Sequence, residues 1–415
     1  MAEQHGKALV PQIRFAGFTD PWEQRKLGEL ASKRIEKNTN GIKETFTNSA
    51  EHGVVSQLDY FDHDITNDAN IGNYSVVHPD DFIYNPRISA VAPCGPINRN
   101  KLDRNGVMSP LYTVFSVDDT IDKLYLEHYF KTSRWHQFMF LEGNSGARSD
   151  RFSISDSIFF EMPIQCPVLE EQELIASFFG RLDSLITLHQ RKYDKLCVLK
   201  KSMLDKMFPK GGSLYPEIRF AGFTDPWEQR KLGEVARRVT RKNENRDSDL
   251  PLTISAQYGL VDQRTFFNNQ VASKDMSGYF LLRKGEFAYN KSTSTDSPWG
   301  AIKRLEKYDM GCVSTLYICF ELLSGDPDFL VTYYETDRWY KAVQLIAAEG
   351  ARNHGLLNIA PDDFFETQIC IPKRIDEQRR IGAFFDRLDS LITLHQRKLE
   401  LLRNIKKSML DKMFV

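Results

Sequence analysis

The chain repeats itself over nearly its whole length. The segment IRFAGFTDPWEQRKLGE at residues 13–29 returns unchanged at 218–234, RLDSLITLHQRK at 181–192 returns at 387–398, and KKSMLDKMF at 200–208 returns at 406–414. The offset is about 205 residues each time. Between these blocks lie two long stretches that have drifted far apart. Repetition on this scale limits the fold to two copies of one plan. The identical parts suit one job done twice, and the drifted parts suit two different jobs.

At 415 residues, the chain exceeds what one core supports and predicts two to four domains. Its 41% hydrophobic and 27% charged residues are those of a globular protein. No apolar run reaches the ~18 residues of a membrane span, and residues 1–12 lack the features of a signal peptide, so a cytoplasmic protein with no membrane partner is expected. Cys94, Cys166, Cys197, Cys312, Cys319 and Cys370 form no CxxC pair and no Cys/His cluster with zinc spacing. Reduced, mostly buried thiols and no metal are expected. A net charge of −1 argues against a chain that coats nucleic acid indiscriminately, but not against a concentrated basic face.

The clearest local signal is helical. Ile175, Phe179, Leu182, Ile186, His189, Tyr193, Leu196, Lys200, Met203 and Met207 alternate steps of three and four residues, and Ile381, Phe385, Leu388, Ile392, His395, Leu399, Leu402, Lys406, Met409 and Met413 repeat the series. This is a heptad seam. It predicts helices over 170–208 and 376–414, with Pro167 and Pro372 before them and Pro209 ending the first. Each is about 57 Å long at ~1.5 Å per residue. A seam that long needs a partner, and the other copy is the obvious one, antiparallel about a pseudo-twofold axis. Leu182, Ile186, His189, Leu196 and Met203, with Leu388, Ile392, His395, Leu402 and Met409, are the expected coiled-coil and partner-docking residues. The two histidines read as polar register-setting positions.

The drifted stretches, 30–166 and 235–371, share a skeleton. Tyr74, Phe82, Tyr84 and Asn85 match Tyr279, Phe287, Tyr289 and Asn290, and Arg134-Trp135 matches Arg338-Trp339. LYTVFSV (111–117) and LYICFEL (316–322) read as buried strands. Residues 126–140 and 327–343 read as helices packed on them. Each stretch is therefore an α+β domain, and the two share a fold. The differences fall in loops rich in Gly, Ser, Asn, Arg and Lys: 34–48 against 238–251, 85–106 against 290–311, and 143–151 against 348–356. A fixed skeleton with rewritten polar loops is a scaffold that presents recognition loops.

The chain resembles the specificity subunit of type I restriction–modification systems. The resemblance rests on the paired blocks at 17–29 and 222–234, on Gly146-Ala147-Arg148 with Pro167 and Glu171-Gln172, on Gly350-Ala351-Arg352 with Pro372 and Glu377-Gln378, and on the tandem heptad helices. It covers essentially the whole chain. It implies two similar α/β target-recognition domains, 1–167 and 213–372, separated by two long antiparallel coiled-coil helices in conserved regions 168–212 and 373–415. Each domain would read one half of an asymmetric bipartite site in double-stranded DNA. The helices would set the spacing and dock two copies of the modification (methyltransferase) subunit, which uses S-adenosylmethionine. A restriction (translocase and endonuclease) subunit using ATP and Mg2+ would join them. No catalytic residue and no cofactor is expected in this chain.

The residues support that reading and oppose catalysis. Tyr84-Asn85-Pro86-Arg87 lacks the second proline and aromatic of an amino-methyltransferase motif, and 285–292 lacks the second glycine of a P-loop. The expected DNA contacts are basic and polar loop residues. Arg148, Arg151, Arg352, Asn353 and His354 occupy the matched Gly-Ala-Arg loops, where an arginine binds guanine or phosphate unless a salt bridge closes the loop. Asn98, Arg99, Asn100 and Lys101, with Lys291, Ser292, Thr293 and Ser294, supply donors suited to base edges and phosphates. Arg34, Lys37, Arg238, Arg241 and Lys242 suit phosphates. Trp22 and Trp227 are expected to pack each domain on its helix. Two rival readings are a non-enzymatic protein–protein adaptor and a self-contained enzyme; the loop chemistry disfavours the first, and the missing cofactor unit the second.

Overall fold

The computed structural model describes residues 9–61, 68–145, 150–255, 258–267, 273, 275–295, 297–347 and 355–415. The chain divides into two compact units, residues 1–190 with 397–415, and residues 191–396. Both boundaries fall inside the two long helices, Leu169–Lys206 and Ile375–Met413. Each unit thus holds one domain, the first part of one long helix and the last part of the other.

In the first unit, strands Ala31–Lys33, Thr113–Val117, Phe82–Tyr84 and Ile97–Arg99 form an antiparallel sheet in that order. Its counterpart in the second unit orders Ala236–Arg238, Ile318–Leu322, Phe287–Asn290 and Ala301–Arg304 in the same way. Aromatics fix the register. Phe82 lies opposite Phe115 with rings stacked at 5.5 Å, and Phe287 lies opposite Phe320 at 5.1 Å. Cross-strand aromatic pairs of this kind stabilise a sheet by roughly 0.2–1 kcal/mol each. The expected strands at 111–117 and 316–322 begin two residues late, because Tyr112 and Tyr317 close turns back to Ser109 and Ser314.

The stretches read as single helices are each two. Lys123–Tyr129 and His136–Glu142 are separate, as are Pro327–Tyr333 and Tyr340–Ile346. The break is chemical. The Thr132 hydroxyl donates to the Tyr129 carbonyl at 2.7 Å and the Trp135 indole N–H to the Phe130 carbonyl at 3.3 Å. Thr336 and Trp339 do the same to Tyr333 and Tyr334 at 2.6 and 3.1 Å. Side-chain donors take the carbonyls that a continuing helix would use.

The long helices pair antiparallel within each unit. In the first, Lys406 donates to Asp183 at 2.5 Å and Arg403 to Gln190 at 3.0 Å. In the second, Lys200 donates to Asp389 at 2.6 Å. Every heptad position is buried or half-buried, as the periodicity predicts. Leu182, Ile186, Leu196, Met203, Leu388, Ile392, Leu402 and Met409 all lie on this seam, and His189 and His395 are half-buried there.

Each helix end then joins a core begun by the other copy. Phe414 meets Trp22, Tyr125 and Phe179 with ring centroids at 6.3, 5.3 and 5.8 Å. Phe208 meets Trp227, Phe329 and Phe385 at 5.8, 5.7 and 6.2 Å. The tryptophans therefore pack on a helix, and its tip comes from the opposite repeat. Arg134 seals one tip by donating to the Asp411 carbonyl at 2.6 Å, and Arg338 seals the other through Asp205 at 2.7 Å.

Candidate nucleic-acid interface

The candidate site in each unit lies where two loops meet, with matching backbone hydrogen bonds among the described residues and different side chains. The first leaves the central strand after Tyr84. Ser89 and Ala92 exchange backbone hydrogen bonds at 3.0 and 3.1 Å, and the Gly95 amide donates to Ala92 at 3.0 Å. Ser294, Ser297 and Gly300 repeat this with three bonds of 3.1 Å. Gly95 and Gly300 hold φ of +82° and +80°, and a Cβ on either would run into the carbonyl oxygen of Asn85 or Asn290. The Tyr84 hydroxyl donates to the Cys94 carbonyl at 2.9 Å, and that of Tyr289 to Trp299 at 2.8 Å. On this common frame one unit carries Pro86-Arg87-Ile88-Ser89 and the other Lys291-Ser292-Thr293-Ser294.

The second loop bonds to the first by a single antiparallel bridge. Arg87 faces Arg151, flanked by Ile88 N–H to the Asp150 carbonyl at 3.0 Å and Phe152 N–H to the Pro86 carbonyl at 2.8 Å. Ser292 faces Leu356 in the same way, flanked by bonds of 2.6 and 2.9 Å. These are non-hydrogen-bonded pairs, whose Cα atoms stand about 4.5 Å apart with the side chains at their closest.

Many of the expected contacts turn inward. Asn98 and Asn100 are buried, contrary to their reading as exposed donors. The Asn98 amide donates to Asn48 and Ser49 and its oxygen accepts from Lys131, while Asn100 bonds His78 and Leu102. Arg99 grips Asp80 at 2.5 Å and the buried Glu127 at 3.0 Å, and Lys101 also pairs with Glu127. Burial opposes charge on Glu127, yet Lys101 and Arg99 together hold its pKa below the ordinary value. Arg34 pairs with the buried Asp81 at 3.1 Å; burial still raises that carboxyl's pKa. Arg241 reaches Glu286 at 3.1 Å from another loop position, so both sheets carry one paired buried carboxylate.

Others stay near the surface. Lys242 donates to the Gly278 carbonyl at 2.9 Å and lies 4.1 Å over the Phe280 ring. Arg238 approaches Asp362 at 3.9 Å, and Lys37 is exposed. Lys291 donates to the Ile359 carbonyl at 3.2 Å, and partial burial lowers its pKa. Ser292 and Ser294 are exposed, and Thr293 donates to the Gly355 carbonyl at 3.0 Å. Arg148, Arg352, Asn353 and His354 lie outside the described residues. Arg87, exposed in the loop at 85–106, is not among the contacts expected from the sequence. The signal was available in the alignment of the halves, which sets Arg87 and Arg151 against Ser292 and Leu356.

Among the described residues, no group of three or more His, Cys, Asp and Glu could hold a metal ion, and no helix is long and apolar enough to cross a membrane. The cysteines are free thiols, and burial pushes those of Cys94 and Cys312 up to about 11. The arrangement offers hydrogen-bond donors on loops tied to each other by backbone hydrogen bonds.

Residues 19–197 match the family described as "Type I restriction modification DNA specificity domain". No curated protein sequence matches the chain significantly. The fold resembles the type I restriction–modification S subunit from M. genitalium, with a TM-score of 0.59 and 13% identity over 98% of this chain and 99% of that one. The HsdS subunit from Thermoanaerobacter tengcongensis aligns with a TM-score of 0.44 and 16% identity over 95% and 96% of the two chains. A structure described in terms of complex assembly in the type I R-M system aligns at 0.45 and 15% over 94% and 97%. Residues 19–197 thus match a type I restriction–modification specificity domain, and the chain over its whole length shares the fold of an S subunit from such a system.

Proposed function

We propose that this chain selects the DNA sequence on which a type I complex acts, with domain 1–167 reading one half of an asymmetric bipartite site and domain 213–372 the other. The observation that carries this reading is the pair of loops with one backbone and two sets of side chains. A shared backbone docks two domains on duplex DNA alike, and different side chains then read different bases. The helical regions 168–212 and 373–415 fix the number of unread base pairs between the halves.

The same helices dock two copies of the modification subunit. Leu185 and Leu188 of one helix are half-exposed, as are Leu391 and Leu394 of the other. Two identical apolar patches suit two copies of one partner. Chemistry belongs to the partners: methyl transfer to adenine from S-adenosylmethionine in the modification subunit, and ATP- and Mg2+-dependent translocation and cleavage in the restriction subunit. This chain contributes no catalytic residue and binds no cofactor, and it works in the cytoplasm on chromosomal or invading DNA.

The test is methylome sequencing of cells that hold the modification partner, with and without this chain. One bipartite adenine-methylated motif should vanish with the chain. Replacing 213–372 by another such domain should change one half only. Unchanged methylation would overturn the reading and favour a protein–protein adaptor.

A further inference from the structure

Arg87 and Arg151 set two positive charges side by side at the candidate interface. They form a non-hydrogen-bonded antiparallel pair, so both side chains leave the same face at the closest approach a sheet allows. Like charges directly opposite one another destabilise a strand pair. Elsewhere in this domain arginine charge is spent internally: Arg14 on Glu171, Arg34 on Asp81, Arg99 on Glu127. Among the described residues, neither Arg87 nor Arg151 has an ion-pair partner. Glu51 lines the same hollow as Arg87 and Asp150 precedes Arg151, yet neither carboxylate pairs with them. The hollow measures about 440 Å³, and Asn85, Thr47, Tyr60 and Tyr112 also line it.

The matched position in the other unit says which anionic or acceptor group this pair suits. There the same bridge joins Ser292 to Leu356. Phosphates are alike under both domains, so a phosphate contact would call for a cation in both. Base edges differ between the two half-sites. Arginine is suited to the O6 and N7 acceptors of guanine, whereas serine and leucine are not suited to that bidentate contact.

We infer that Arg87, supported by Arg151, reads a guanine in the major groove of the half-site bound by the first domain. The inference rests on the DNA-recognition reading above. Arg87 is the base-contacting group, and Arg151 sits beside it, adding to the positive field that draws the guanine acceptors.

The experiment uses the chain assembled with its modification partner and duplexes carrying the motif found for the wild type. The variants are Arg87→Ser with Arg151→Leu, the residues of the other domain, and Arg87→Lys. The double variant should lose about ten- to hundredfold of its preference for G at one position in one half-site. The other half should stay fully specified, which also shows that the variant is folded. Arg87→Lys keeps the charge and should lose much of the preference while retaining affinity. Equal weakening on all sequences with a shallower salt dependence would show a phosphate contact and overturn the inference. Unchanged specificity, or a change in the other half, would also overturn it. A wild-type complex with no bipartite motif would instead overturn the reading on which the inference stands.

Discussion

Arg219 holds Glu377 with two hydrogen bonds of 2.6 and 2.8 Å, and Arg14 holds Glu171 with two of 2.8 Å. Both carboxylates are buried. The neighbouring glutamines complete the joint. Gln172 accepts from the Asp122 amide at 2.9 Å and donates to the Pro167 carbonyl at 2.9 Å, and Gln378 does the same with Asp326 and Pro372 at 2.8 and 2.8 Å. The acidic-Gln pair that opens each long helix thus ties the repeated block, the domain and the helix start together.

Removing one partner of such a pair leaves a buried charge uncompensated. Glu377→Ala should destabilise the unit formed by 191–396 by about 3–5 kcal/mol. The Trp227 indole also donates to Glu377 at 3.3 Å, so the loss exceeds that of the ion pair alone. Urea unfolding of the full chain checks this. A shift below about 1 kcal/mol would show that the joint contributes as little as a surface salt bridge.

Phe414 should matter as much as any core residue. It is buried against Trp22, Tyr125 and Phe179. Phe414→Ala should cost about 3–5 kcal/mol, whereas Phe414→Leu should cost less than about 1.5. Hydrogen exchange should show the loss at 169–190 and in the first domain. Exchange confined to the last helical turn would contradict the packing.

His128 makes the first unit acid-sensitive. Burial, and next Lys406, push its pKa down from 6.5 to about 4, against Asp183 and Glu127, with Lys101 adding to the fall. Lys131, just past the end of the same short helix, also has its pKa lowered, chiefly by desolvation. Between those two pH values, the unfolded chain binds a proton that the folded chain does not. Stability is full above pH 6.5 and falls as pH drops toward 4, by up to about 3 kcal/mol. The second unit has Thr332 at this place, with its hydroxyl bonded to the Asp328 carbonyl at 2.9 Å. Melting curves at pH 7 and pH 5 should show the first unit weakening, and His128→Thr should flatten that dependence. An unchanged slope in the variant would assign it to the carboxylates.

Gly300→Ala should distort the loop that follows Asn290 in the second unit. Its φ of +80° and the closeness of the Asn290 carbonyl leave no room for a methyl group. Backbone strain alone costs about 1–3 kcal/mol. One half of the DNA motif should blur while the other stays sharp, read by methylome sequencing. Loss of both halves would mean that the loop supports the whole assembly.

The long helices and their ends were legible because a heptad seam and helix-stop residues are local patterns. The two strands at 111–117 and 316–322 were legible for the same reason, to within two residues. The candidate contacts were harder to read. Arg34, Arg99 and Asn98 are loop-like and polar in sequence, but their partners Asp81, Glu127 and Asn48 stand far along the chain. Whether a charge is spent internally depends on distances that spacing does not encode.

The sequence by itself determined the duplication, the helix pair and the division into a constant frame and variable loops, because periodicity and repetition survive without coordinates. Only the tertiary structure decided that each helix tip completes the opposite repeat's core, and that Asn98 and Asn100 are interior while Arg87 stands beside Arg151. Those outcomes follow from burial and cross-strand register, which are set when distant segments pack.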